Sequence, residues 1–155
     1  MLEELLQTIF FNITIILGVF LLMTVVDFSF YTKGVLMKIF MGGVIGMATI
    51  ITMINGFHLS SGVVYDARSV VIGVAAFFFP WMTSLTAAII AMVYRVALGG
   101  IGVLPGSLSI LSAFIVGFIW REKVQKRIKV NAYFQFYLLG FVIHVFVTLS
   151  QLSLP

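Results

Sequence analysis

Five stretches of this chain contain no Asp, Glu, Lys or Arg, and each is long enough to cross a lipid bilayer. They run Leu5–Val26, Ile39–Phe57, Ser69–Tyr94, Val96–Trp120 and Val130–Pro155. About 20 apolar residues cover a hydrocarbon core roughly 30 Å thick. What charge there is falls in the breaks: Asp27, Lys33 and Lys38, then Asp66 and Arg68, then Arg95, then the basic run Arg121 to Lys129. Of the 155 residues 62% are hydrophobic and 9% charged, against roughly 45 to 50% and about 25% in soluble domains. A water-soluble fold is excluded, and the chain reads as an integral membrane protein. The formal charge of +4 is no nucleic-acid footprint, because five of the nine basic residues sit in the run Arg121 to Lys129. With no cysteine there is no disulfide, thiolate metal site or cysteine nucleophile. The amino terminus, MLEELLQTIF, is acidic where a signal peptide is basic. The first span therefore stays in the mature chain.

The 26 residues from Ser69 to Tyr94 carry Pro80 and Trp81 near their middle. Proline removes a backbone donor and pushes the residue before it out of helical geometry. The run is thus either one kinked helix or two short ones, and the bias of Lys and Arg toward cytoplasmic loops arbitrates. With a turn at Pro80, Lys33, Lys38, Arg121, Lys123, Lys126, Arg127 and Lys129 share one side, leaving Arg68 and Arg95 on the other, a seven-to-two split. A single helix gives only three against six. The sequence predicts an all-α protein of six transmembrane helices, two of them short around Pro80. Its amino terminus lies outside, the loop 121–129 is cytoplasmic, and the sixth crossing returns the chain to the outside.

Gly42, Gly46 and Ala48 form a small-residue face on span two, read as packing within the molecule rather than as a dimer seam. Asn12 and Thr14 are read as hydrogen-bonding to neighbouring helices. So is His144, which has no second ligand residue at helical spacing. His58 is read as a loop residue at the outer end of span two.

Asp66, Arg68 and Arg95 stand out, because ionisable groups in membrane segments are costly and usually face a cavity or a partner. The plain reading lets the arginines snorkel to head groups, with Asp66 neutralising one. The functional reading notes that Arg68 opens span three and Arg95 closes span four, so both reach one membrane level. They can converge on one anion, since guanidinium donors pair well with carboxylates. Gly99, Gly100 and Gly102 can bring bare backbone amides close to a ligand, and Ser107 and Ser109 lie at the mouth of span five. These residues make a candidate outward-facing carboxylate site. No phosphate loop, zinc-helix motif, serine elbow or acidic pair is present, so no enzyme, metal site or cofactor is expected in these residues.

Across about 60 residues, from SGVVYDARSVV to SAFIVGFIW, the chain resembles the LytS/YhcK-type transmembrane receptor module. The matching pieces are the D-x-R-x-V of Asp66 to Val70, the proline between short spans at Pro80, and the R-x-x-x-G-G of Arg95 to Gly100. The resemblance implies the membrane sensor domain of a LytS-like histidine kinase or of a diguanylate cyclase, responding to a small carboxylate or to the membrane state. The two arginines of the family motif fall on Arg68 and Arg95. Phe78-Phe79 before the proline, Tyr94 before the arginine and Pro105-Gly106 depart from the kinase branch and lean toward the cyclase branch. The module is also similar to the six-helix substrate-binding subunits of energy-coupling-factor transporters, which supplies the fold expectation and the alternative function.

The expectation is therefore a single sensor domain over 1–155. It detects a small extracellular anion from within the bilayer, and a further span and a cytoplasmic output domain lie beyond it in the full-length chain. A homodimer is a possible assembly, and nucleic acid is not a partner.

Overall fold

The computed structural model describes residues 2–25, 34–60, 63–124 and 132–151. In lipid every backbone N–H and C=O must find a partner within the chain, and the apolar runs meet that demand as helices. They are α1 (Leu2–Val25), α2 (Val35–Ile54), α3 (Arg68–Phe78), α4 (Trp81–Leu98), α5 (Val103–Ile119) and α6 (Ala132–Gln151). A π-helical turn, Trp120–Val124, extends α5. Among the described residues three helical stretches are long and apolar enough to cross a membrane by themselves: Val35–Ile54, Trp81–Leu98 and Val103–Val124. Shorter apolar stretches lie at Leu6–Val19, Arg68–Phe78 and Tyr137–Ser150.

The run containing Pro80 is two helices. Phe79 is extended (φ −95°, ψ 156°), the geometry that a following proline imposes. The Pro80 carbonyl then accepts the amides of Thr83 and Ser84 to start α4. Helix α4 continues past Tyr94 to Leu98, which places Arg95 in its last turn, where a cation complements the helix dipole. Gly99 and Gly100, with φ of 68° and 83°, then reverse the chain, a conformation that glycine adopts without steric cost.

With no hydrophobic drive between helices in lipid, close backbone approach at small residues holds the bundle. Helices α2 and α4 run parallel, since Gly42 meets Thr83 and Thr86 while Gly46 meets Ile90. The expected small-residue face therefore packs within the molecule. Helices α3 and α5 are parallel too: Gly117 lies against the Gly73 carbonyl and the Ala76 side chain, and Arg68 reaches Ser109. Helix α6 runs against α5, with Ile143 over Gly73 and the Ser150 hydroxyl on the Pro105 carbonyl at 3.4 Å. The fully buried Ile72, Ala75, Ala87, Ala91, Ile110 and Ala113 place the core between α3, α4 and α5.

Three expectations need correction. A short antiparallel hairpin, β1 (Phe57–Ser60) and β2 (Val63–Tyr65), joins α2 to α3, so His58 is a strand residue opposite Val64. Thr14 bonds the Phe10 carbonyl of its own helix at 2.8 Å, because a helical hydroxyl finds the carbonyl four residues back before any neighbour. The His144 side chain is exposed on the outside of α6 rather than turned into the bundle, since the inward positions on that face belong to Leu139 and Ile143. The loop residues Lys33, Lys126, Arg127 and Lys129 lie outside the described residues.

Candidate functional site

The start of α3, the end of α4 and the start of α5 meet at one end of the bundle, and the three charged residues singled out above meet with them. Asp66 lies two residues ahead of α3. Its Oδ1 accepts the Arg68 amide at 2.8 Å, and its Oδ2 accepts Arg68 Nη1 at 3.2 Å. The Asp66 side chain is 1% exposed and that of Arg68 13%. Arg68 Nε also donates to Ser109 Oγ at 3.4 Å across to α5, while that hydroxyl donates to the Gly106 carbonyl at 2.8 Å.

Arg95 crosses from α4 to α5. Its Nε donates to the Gly102 carbonyl at 3.0 Å, and the residue is 3% exposed. It therefore turns into the protein and does not snorkel to the head groups. The path exists because residue 106 is glycine: a Cβ there would stand 2.5 Å from Arg95 Nε and 3.0 Å from its Cδ.

Two guanidinium groups and one carboxylate thus share a sheltered corner, where Asp66 attracts both arginines and the arginines repel each other. Burial pushes the Asp66 carboxyl above the usual carboxylate range, against the opposing pull of the Arg68 charge, the Arg68 amide and Arg95.

The other sequence candidates divide. Ser109 is in the corner, under Arg68. Ser107 is half-buried two residues earlier on α5, and its hydroxyl oxygen has no hydrogen-bond partner among the described residues. Gly99 and Gly100 make the turn that returns α5 to α4, with the Gly100 carbonyl accepting the Val103 amide. Gly102 contributes a carbonyl to Arg95 rather than an amide to a ligand. Sequence reasoning missed Gly106 as a site residue: Gly102 and Gly106 stand four residues apart, but the spacing does not show that the Arg95 side chain lies against them. Among the described residues no cluster of His, Cys, Asp or Glu is suited to a metal ion.

A family model described as 5TMR of 5TMR-LYT matches residues 29–154. The chain belongs to this family, the LytS-type transmembrane receptor module. It is accordingly a multi-pass membrane protein and a membrane sensory domain. Of the six α-helices among the described residues, the matched stretch holds α2 to α6. Membership does not favour the alternative of a transporter subunit. No curated protein and no solved structure matches the chain.

Proposed function

We propose that this domain is the input of a signal-transduction protein and that Arg68 and Arg95 together bind a small extracellular anion, a carboxylate in the first instance. One observation carries the reading: two guanidinium groups from different helices are gathered in a sheltered corner beside one carboxylate. Hydrogen bonds to charged groups are each worth about 1.5 to 3 kcal/mol, and guanidinium presents its donors in pairs that match a carboxylate. Asp66 holds Arg68 in place, and an entering anion competes with it. In this reading α3 to α6 run through the bilayer as four of six crossings, with the amino terminus outside and the loop 121–129 in the cytoplasm. The signal passes through a further span to a kinase or diguanylate cyclase domain.

The test is binding of a panel of small carboxylates to the purified domain and to Arg68→Lys and Arg95→Lys, with thermal stability measured alongside. Lysine keeps the charge and loses the paired donors, so affinity is expected to fall about tenfold for each 1.4 kcal/mol lost while the fold persists. Unchanged affinity in both variants would make the arginines structural.

A further inference from the structure

A concavity lies away from the arginine corner, between α1 and α2. It has a volume of about 230 Å³, below the roughly 300 to 1,000 Å³ of pockets that take compact ligands. Ile15, Gly18 and Val19 form one wall, Met41, Ile45 and Ala48 the other, and Phe79 closes the floor. Every one of these side chains is apolar. A narrow apolar crevice on a membrane helix pair suits a hydrocarbon chain.

The charge at one end indicates which chain. Lys38 precedes Met41 by one helical turn on the same stripe of α2, where residues three and seven apart share a face. Arg121 donates from Nη1 to the Phe79 carbonyl, which commits that cation to the backbone of the floor residue. Gly42 faces Thr83, just beyond Pro80, which puts Met41 and Phe79 at the same level. Lys38 therefore stands one turn beyond the apolar lining, at the α2 end of the crevice.

We propose that the crevice between α1 and α2 holds an acyl chain of an anionic phospholipid whose head group is met by Lys38. This site is independent of the arginine corner, and neither reading requires the other.

Gly18 supplies a clean probe. A Cβ at Gly18 meets nothing within 4 Å, and the same is true of Gly43, which does not line the crevice. Gly18→Leu fills the crevice, and Gly43→Leu is the matched control. The protein is reconstituted in nanodiscs of equal phosphatidylglycerol and phosphatidylcholine, released into mild detergent, and weighed by native mass spectrometry. Wild type and Gly43→Leu are expected to retain one phosphatidylglycerol, and Gly18→Leu to lose it with its melting temperature intact. Lys38→Gln is expected to reduce the preference for phosphatidylglycerol about fivefold, the factor matching about 1 kcal/mol for one basic residue at a lipid surface. A phosphatidylglycerol carrying a diazirine in its chain is expected to cross-link to the peptides of Ile15–Val19 and Met41–Ala48. Equal retention by all variants, no retained lipid in wild type, or a dimer mass that disappears with Gly18→Leu would overturn the assignment, the last because a second copy would then fill the crevice.

Discussion

The glycine at 106 decides whether Arg95 can lie where it does. Gly106→Ala sets a methyl group 2.5 Å from Arg95 Nε, and the part that must yield is the end of a long side chain rather than backbone. Arg95 is expected to withdraw from the Gly102 carbonyl, so anion binding is lost while melting falls by only the few degrees that about 1 kcal/mol costs a domain of this size. Calorimetry and titration on one sample check both halves. Asp66 sets the pH dependence. Its carboxyl is raised by burial, and on the proposed reading it competes with the ligand for Arg68, so that protonation would remove the competitor. Affinity for a carboxylate that stays ionised should therefore rise as pH falls from neutrality toward the raised Asp66 value. Asp66→Asn keeps the acceptor for the Arg68 amide and should bind more tightly at neutral pH with that dependence gone. Titrations at several pH values decide it, and a flat wild-type profile would count against the competition. At this scale the two arginines were readable from the sequence, because charge is rare in such a chain. Gly106 was not, because a side chain's route depends on which helix lies beside it.

Among the elements, the seam between α2 and α4 is set by backbone proximity. A Cβ at Gly42 would lie 2.6 Å from the Thr83 carbonyl and 2.6 Å from Thr86 Cβ. Both are rigid, so Gly42→Ala should force the helices apart and destabilise the domain by about 1 to 3 kcal/mol, measurable as a lower melting temperature with no change in binding at low temperature. The break at Pro80 was legible because proline acts on its neighbour through covalent geometry alone. The hairpin at Phe57–Tyr65 was hidden, since FHLSSGVVY is too short and too apolar to separate strand from span end by pattern. The inward back-bonding of Thr14, Thr49 and Thr52 explains why polar residues in the spans carried no information about neighbours.

For the whole molecule, the topology reading places Trp81 at the cytoplasmic face and the end of α6 outside. Trp81 is exposed at the start of α4, so a cysteine there should react with a membrane-impermeant reagent only from the cytoplasmic side, in intact cells compared with inverted vesicles. Labelling from outside would reverse the orientation. Apolar runs made the order of the helices legible, whereas the crevice between α1 and α2 was invisible, because an empty volume leaves no mark on composition. The pairings also divide the bundle. Helix α3 is strapped to α5 at both ends, by Arg68 on Ser109 and by Arg121 on the Phe79 carbonyl, while α2 is locked to α4 through Gly42 and Gly46. The result is two slabs, linked along the chain by the β1–β2 hairpin, at Pro80 and at the Gly99–Gly100 turn, and packed on each other through the core between α3, α4 and α5. Arg68 belongs to one slab and Arg95 to the other. On the proposed reading an anion held by both would add a latch across the join, beside the bond Arg95 already makes to the Gly102 carbonyl, and its arrival or departure would change how freely one slab slides along its neighbour.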